Sequence, residues 1–145
     1  MKKLQTGFTL IELMVIVVIV FMLVSIAIPQ YQHYTARNQI SEALKLSSAA
    51  KVAVVEYIDT NGFFPSTNEE AGLTTTNTIK DKYVSQVKIS TNGVITVTFS
   101  AAAQSLITTG VMALTPTTNA DSISWVCSSD NVLVDITDYL PSICK

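Results

Sequence analysis

One carboxylate, Glu12, stands inside an otherwise apolar run that extends from Phe8 to Ile28. A helix over this run, at about 1.5 Å per residue, would span roughly 31 Å, close to the ~30 Å hydrocarbon core of a bilayer. By insertion scales, a carboxylate at mid-depth in lipid costs about 2.5–3.5 kcal/mol, and less near an interface. We therefore expect Glu12 to gain a partner on another molecule, or a new amine made by cleavage of the chain.

The length and charge of the chain limit its class. Its 145 residues suit a single globular domain attached to a membrane segment, and its formal net charge is −2. An acidic balance argues against a general nucleic-acid surface, which usually shows a basic patch. A small local patch stays open, because Lys80, Lys82 and Lys88 lie near one another in the sequence.

The order of residues at the N-terminus differs from that of a secretory signal peptide. A signal peptide has its cleavage site after the apolar stretch, whereas Gly7 lies before it, behind Lys2 and Lys3. Positive charge ahead of the run keeps the N-terminus in the cytoplasm. Cleavage after Gly7 would keep the apolar helix and create an α-amine on Phe8, about one helical turn from Glu12.

Two cysteines, Cys127 and Cys144, lie near the C-terminus. They are too far apart for a CxxC redox motif, and no second cysteine pair or histidine stands nearby to complete a zinc site. In an exported domain we expect them to form one disulfide, which would stabilise the fold by about 3 kcal/mol in the chain-entropy model. Two free buried thiols in a cytosolic protein are the alternative.

From Gln30 to about Thr60, small and apolar residues recur at steps of three or four. This period predicts a helix that continues the apolar run and that ends at Asn61 and Gly62. The face that we expect to pack against a globular domain consists of Ala36, Ile40, Ala43, Ser47, Ala50, Val54 and Ile58.

The rest of the chain predicts a loop and then an antiparallel sheet. Residues 61–83 show no clear period. The candidate strands are Val84–Ile89, Val94–Phe99 after an Asn92-Gly93 hairpin turn, Val111–Leu114 ended by Pro116, Ile123–Cys127, and a short strand at Val132–Ile136. Strands in series, separated by turn residues, favour an α+β fold with the sheet packed on the helix.

Three segments of the chain resemble type IV pilins of the type IVa form. MKKLQTGFTLIELMV looks like the leader and first residues of a prepilin, and IAIPQYQHYTARNQISEALKLSSAAK resembles the rest of a pilin's N-terminal helix. GVITVTF, SISWVC and a late cysteine are similar to the pilin head domain. The resemblance implies the pilin fold: a long N-terminal α-helix, part transmembrane and part amphipathic, packed on a roughly four-stranded antiparallel sheet.

The same resemblance implies five parts of the chain. They are a leader peptide (residues 1–7), a transmembrane or filament-core helix (8–28), the amphipathic half of the helix (29–60), a connecting loop (61–83), and an antiparallel sheet with a disulfide-bounded C-terminal region (84–145).

The resemblance also implies roles for Gly7, Phe8 and Glu12. A prepilin peptidase would cut between Gly7 and Phe8 and methylate the new amine of Phe8. Glu12 would then pair with the N-terminal amine of a neighbouring subunit. The expected function is a structural subunit, major or minor, that leaves the inner membrane and polymerises through the pilus assembly machinery. The resulting surface filament would support adhesion to a host surface, twitching motility and DNA uptake.

One position departs from the family's pattern. Many relatives carry a glycine where this chain has Phe21, eight residues before Pro29, and there the intervening stretch can lose helical hydrogen bonds in the filament. Phenylalanine does not relax a helix as glycine does, since glycine costs up to ~1 kcal/mol relative to alanine in a helix interior. Pro29 still removes one helical bond. We expect a kink near Pro29 and a helix that persists upstream.

Two other functions stay open at this point. A pseudopilin of a type II secretion system would share the N-terminal helix, but the major pseudopilins usually lack the C-terminal disulfide and bind calcium. A minor pilin acting as a DNA-uptake receptor would need a basic stripe on its head. The segment between the cysteines carries acids and no base, which argues against phosphate contact there.

No sequence motif supports catalysis or a bound cofactor. The chain contains no P-loop, GxSxG, HExxH or GxGxxG motif. Its one histidine, His33, is expected to be a polar residue on the exposed upper part of the helix. Asp130 and Asp135 match no EF-hand loop, so we expect no metal. The chain is therefore expected not to be an enzyme and to hold no cofactor.

Overall fold

The computed structural model describes residues 7–76, 78–119 and 122–144, and the chain divides into two units, Met1–Gln32 and His33–Lys145. The helices and strands are α1 (Leu10–Leu46), α2 (Ser48–Asn61), β1 (Val84–Ser90), β2 (Val94–Phe99), β3 (Val111–Asn119) and β4 (Ser122–Ser129). The strands lie in the order β1-β2-β3-β4, each antiparallel to its neighbours. The expected α+β fold with a four-stranded antiparallel sheet is confirmed.

Ser47 separates α1 from α2 without ending the run of helical hydrogen bonds. Its amide donates to the carbonyl of Ala43 and its carbonyl accepts from the amide of Lys51, both at 3.0 Å. Its hydroxyl donates to the carbonyl of Leu44 at 2.8 Å, a side-chain bond that competes with the regular ladder. The predicted long helix is therefore confirmed, with one local irregularity.

Gly62 ends α2 at the predicted place. It adopts a left-handed conformation (φ 79°), and its amide donates to the carbonyl of Ile58 at 2.8 Å. Glycine enters this region without the steric cost that a Cβ atom would bring.

The core of the second unit is built between the predicted helical face and the inner side of the sheet. Six of the seven predicted residues, Ala36, Ile40, Ala43, Ser47, Ala50 and Val54, are at most 1% exposed, and Ile58 is half-buried. The sheet contributes Val87, Ile89, Ile95, Val97, Phe99, Met112 and Leu114 to the same apolar cluster. Because half of the six buried residues on this helical face are alanines, the sheet can lie close to the helix backbone.

Asn68 attaches the loop between α2 and β1 to the sheet. Its side chain is 1% exposed. Its Oδ1 accepts from the amide of Ile89 at 2.6 Å, and its Nδ2 donates to the carbonyl of Val87 at 3.1 Å. Since β1 is an edge strand, these bonds satisfy backbone groups that face no other strand, and the loop protects that edge.

The expected end of the third strand at Pro116 is wrong, because β3 continues through it to Asn119. The pairing of β3 with β2 stops at Leu114. Beyond Leu114, β3 pairs with β4 alone, and Pro116 lies opposite Trp125. A proline, which lacks an N–H, is tolerated where a strand has a partner on one side only.

The expected fifth strand at Val132–Ile136 is also wrong, because this segment is irregular. Side-chain oxygens take its backbone donors: the amide of Leu133 donates to Asn131 Oδ1, and the amide of Thr137 donates to Asp135 Oδ1, each at 2.9 Å. Local bonds of this kind favour turns over a strand ladder.

The Asn92-Gly93 hairpin turn between β1 and β2 is confirmed. Both residues have positive φ, 63° for Asn92 and 69° for Gly93. A Cβ atom added to Gly93 would lie 2.7 Å from Phe64 Cδ1 and 3.1 Å from Val54 Cγ1. The turn therefore packs directly on α2 and on the loop that follows it.

We expect Gly93→Ala to lower the free energy of unfolding by about 2–3 kcal/mol, because it adds a steric clash to backbone strain. Gly72→Ala is the matched control: Gly72 has φ 72° and nothing within 4 Å of an added Cβ, so strain alone should cost about 1 kcal/mol. Denaturant unfolding of the full-length protein in detergent measures both. Equal losses in the two variants would contradict the packing argument.

Candidate assembly site

The apolar part of α1 has no protein cover. Every described side chain from Phe8 to Ile28 is exposed. Among the described residues, one helix, Leu10–Asn61, is long and apolar enough by length and composition to cross a membrane, and a stretch of 18 residues within it has a mean hydropathy of 3.1. Because apolar surface in water costs about 25 cal/mol per Å², lipid or other protein must cover this stretch.

Glu12 lies in the first turn of α1, where Thr9 caps the helix. The hydroxyl and amide of Thr9 both donate to Glu12 Oε2, at 2.6 and 3.0 Å. The amide of Glu12 donates in return to Thr9 Oγ1 at 3.3 Å. This reciprocal arrangement is a capping box. It gives the carboxylate hydrogen-bond donors but no opposite charge.

Thr9 was not among the expected site residues, although its signal is local. A threonine three residues before a glutamate, just ahead of an apolar run, is the sequence signature of a capping box. The box holds the Glu12 side chain toward the N-terminal end of the helix, which is the end at which Phe8 lies.

Gly7 and Phe8 precede α1 in non-helical backbone, and Gly7 is exposed. The Phe8 side chain is 73% exposed and lines a shallow groove with Ile11 and Glu12. An exposed, non-helical peptide bond is the kind of segment that a protease can bind. Lys2 and Lys3, with the rest of residues 1–6, lie outside the described residues.

Pro29 lies inside α1, and helical backbone is present on both sides of it. The upstream stretch Phe21–Ile28 is helical throughout. A proline in this position removes one backbone donor from the helical ladder.

The disulfide between Cys127 and Cys144 is present. It joins β4 to the end of the described chain, and Cys144 is 5% exposed. Between the two cysteines, Ile136 and Leu140 are buried in the core at 0% and 4% exposure. The C-terminal segment is therefore held by one covalent bond and by two apolar anchors.

Two residues of α1 in the second unit contact this segment. Arg37 Nη2 donates to the backbone carbonyl of Asp138 at 3.1 Å. The His33 ring stacks on Tyr139, with ring centres 5.5 Å apart and planes at 28°. His33 is exposed on the helix as expected, and Tyr139 is its ring partner.

The turn after β4 is both acidic and apolar. Its tip carries Val132 and Leu133, which are 101% and 92% exposed. Asp130 is exposed beside them. The hydroxyl and amide of Thr137 donate to the Asp135 carboxylate and hold the pKa of Asp135 below its ordinary value.

Lys51 of α2 lies over Trp125 of β4, with Nζ 5.6 Å from the ring centre. Burial lowers the pKa of Lys51, and within the described part of the chain its Nζ has no ion-pair or hydrogen-bond partner. A cavity of about 320 Å³ adjoins the pair and is lined also by Leu44, Ile143 and the disulfide. Neither Lys51 nor Trp125 stood out in the sequence, because only the fold brings them together.

Of the three lysines considered for nucleic-acid binding, Lys80, Lys82 and Lys88, one has an aromatic partner. Lys82 Nζ lies 5.0 Å from the ring centre of Tyr83. A hydrogen bond to Tyr83 raises the pKa of Lys82. Lys80 and Lys88 are exposed, the latter on β1. In residues 7–76, 78–119 and 122–144, no group of three or more His, Cys, Asp or Glu side chains is placed to hold a metal ion.

Two family descriptions match the sequence. Residues 2–28 match the prokaryotic N-terminal methylation motif, and residues 36–145 match the family described as pilin, bacterial filament. Together they cover both units of the chain.

Similar proteins share the full length. The chain is 44% identical over 149 residues to the fimbrial protein EcpC of Eikenella corrodens, covering 100% of this chain and 94% of that protein. It is 38% identical over 162 residues to the type IV major pilin protein PilE of Neisseria gonorrhoeae, covering 100% of this chain and 96% of that one. A fimbrial protein of Pseudomonas aeruginosa is 40% identical over 96 residues, 62% of each chain. The expected resemblance is confirmed: the chain belongs to the pilin family of bacterial filament proteins.

Proposed function

We propose that this chain is the structural subunit of a type IV pilus, held in the membrane by the apolar part of α1 and then polymerised with its own copies into a surface filament. The observation that carries the proposal is the uncovered apolar stretch Phe8–Ile28, which precedes in sequence a second unit with its own core, His33–Lys145, here called the head. Full-length similarity to a type IV major pilin protein supports a role as the main subunit of the filament.

Assembly is physically feasible because the apolar helix exchanges one covered state for another. In the membrane, lipid covers the stretch, and in a filament, the same stretch of neighbouring subunits would cover it. Little apolar surface meets water in either state, so the cost of exposure at about 25 cal/mol per Å² is avoided in both. The head, which has its own core, can stay folded throughout.

In the filament, Glu12 would meet the Phe8 amine of a neighbouring subunit. An unpaired charge in a low-dielectric bundle costs several kcal/mol, whereas a pair of opposite charges attracts strongly there. The Thr9 capping box supports this role, because it holds the carboxylate toward the end of the helix at which Phe8 lies.

We expect Glu12→Ala and Glu12→Gln to lower the yield of sheared surface filaments about tenfold or more, with the subunit still present in the membrane. Glutamine keeps the acceptor that Thr9 needs in the capping box and removes only the charge. Immunoblots of the sheared and membrane fractions measure the two pools.

Thr9→Val is the matched control, since it breaks the side-chain bond of the box and keeps the charge. It should assemble far better than Glu12→Gln. Normal filaments from Glu12→Gln would refute the charge pairing and would leave only helix capping as the role of Glu12.

We also propose that a prepilin peptidase in the inner membrane cleaves after Gly7 and methylates Phe8. The match to the N-terminal methylation motif and the exposed, non-helical backbone at Gly7 and Phe8 support this step. Cleavage would release Lys2 and Lys3 and create the amine that Glu12 needs.

The intact mass of subunits from sheared filaments tests the processing step. We expect a chain that begins at Phe8, carries one added methyl group on its amine, and keeps the Cys127–Cys144 disulfide. Tandem mass spectra of the N-terminal peptide place the methyl group. Filaments built from subunits that keep residues 1–7 would contradict the proposed cleavage.

For the helix in the filament, we propose a kink at Pro29 with helical backbone upstream. Pro29 leaves one carbonyl without its donor, and Phe21 lacks the backbone freedom that a glycine brings. In a filament map we expect a change of helix direction at Pro29 and continuous helical density over Phe21–Ile28. Non-helical density over the whole of Phe21–Ile28 would refute this expectation.

A role as a pseudopilin of a type II secretion system fits the chain less well than a role as a pilus subunit. The disulfide is present, and the chain is similar over its full length to a fimbrial protein and to a type IV major pilin protein. Contact with the assembly machinery, adhesion to a host surface, twitching motility and DNA uptake stay predictions for the assembled filament.

A further inference from the structure

Lys51 is a half-buried cation without a counter-charge among the described residues of the head. Among the described residues its only charge-related contact is the face of Trp125, 5.6 Å away. A cation over an indole face is attracted by the electron-rich ring, and its N–H donors, which water can reach, have no acceptor among the described residues. The adjoining cavity of about 320 Å³ is walled mainly by apolar side chains, among them Leu44 and Ile143. The site suits a group that combines a carboxylate with aliphatic surface.

The same chain presents such a group at another place. Asp130 is exposed and has no side-chain hydrogen bond within the described residues. Val132 and Leu133 beside it are 101% and 92% exposed. Aliphatic side chains left this fully in water indicate a surface that another molecule covers.

The turn is already held in one conformation. The amide of Asp130 donates to the carbonyl of Val111, and Asn131 Nδ2 donates to the carbonyl of Thr109, each at 2.9 Å. The amide of Leu133 donates to Asn131 Oδ1. A turn fixed in this way loses little conformational entropy when it docks.

A subunit cannot fill its own cavity with this turn. Trp125, over which Lys51 lies, is separated from Ser129 by a stretch of β4 that spans roughly 13 Å at about 3.3 Å per residue. The bonds to Val111 and Thr109 hold the turn at the far end of that stretch. If this turn fills the cavity, it must therefore come from a second copy.

We propose that, in the filament, the turn Asp130–Leu133 of one subunit docks into the cavity at Lys51 and Trp125 of a neighbouring subunit. Asp130 forms an ion pair with Lys51, and the aliphatic tip of the turn covers the apolar wall. The inference rests on the proposed function, because it needs a second copy of the chain held close by.

The turn Asp130–Leu133 and the cavity at Lys51 and Trp125 are different surfaces, and this difference determines how subunits can join. Each subunit offers one turn and one cavity, so every contact uses one of each and leaves the opposite pair free. Such a head-to-tail contact can propagate from subunit to subunit, and a series of these contacts that does not close on itself is the geometry of helical filaments. The packing of the apolar helices is non-directional. The turn-to-cavity contact would add a specific orientation of one head relative to the next.

Carbodiimide cross-linking of wild-type filaments tests the pairing without any substitution. The reagent activates the Asp130 carboxylate, the Lys51 amine displaces the urea, and an amide forms with net loss of water. We expect a Lys51–Asp130 amide in mass spectra of digested sheared filaments. In filaments assembled from an equal mixture of light and ¹⁵N-labelled subunits, that cross-link should join one light and one heavy peptide in about half of the cases.

Charge substitutions in the full-length chain give a second test. Lys51→Glu and Asp130→Lys should each lower the yield of sheared filaments about fivefold or more, and the double variant should recover most of the yield. Lys51→Met keeps the stem over Trp125 and removes the charge, so it separates pairing from folding of the head. Lys45→Glu, on an exposed position of α1, is the control with the same change of charge.

The outcomes separate this inference from the proposed function. Mixed-label cross-links together with recovery in the double variant support the docking. Wild-type filaments that show no Lys51–Asp130 cross-link, with full yield from Lys51→Glu and Lys51→Met, overturn the docking and leave the pilus function standing. Absence of wild-type filaments containing this chain would overturn both.

Discussion

The apolar stretch Phe8–Ile28 is a surface that the described chain does not cover, and the remaining structure depends on that constraint. A helix of this composition is stable in lipid or among like helices, and it is unfavourable in water. The head accordingly builds its core from residues that begin at Ala36. One helical segment thus belongs to two environments, and the change between them occurs within the continuous α1.

Within the head, the small residues of the helix determine how the sheet packs. Alanines at half of the buried helical positions let the sheet approach, and Gly93 brings the β1–β2 turn against Val54 and Phe64. Asn68 forms hydrogen bonds with the backbone at the open edge of β1, and the disulfide joins the C-terminal segment to β4. The most exposed large apolar side chains among the described residues of the head are Val132 and Leu133, on the turn after β4.

Prediction from sequence worked where a property is local or periodic. The buried helical face follows from a repeat of three or four residues, and the end of α2 follows from Asn61 and Gly62. It failed where neighbours decide the outcome. Pro116 lies in a strand because β2 has already ended beside it, and Val132–Ile136 stays irregular because Asn131 and Asp135 bind the local backbone. The Thr9 cap was readable but was overlooked.

By itself, the sequence determined the membrane-length helix, the isolated charge at Glu12, the helical face, the hairpin turn and the family. All of these depend on side-chain chemistry at short, regular spacings, which the backbone geometry converts directly into structure. Only the tertiary structure decided which distant residues meet. Lys51 and Trp125 lie on different elements, and the sheet must fold onto α2 before one contacts the other. The separation of that cavity from the acidic turn also arises only in the folded head, because it depends on the length of β4 and on backbone bonds to Thr109 and Val111.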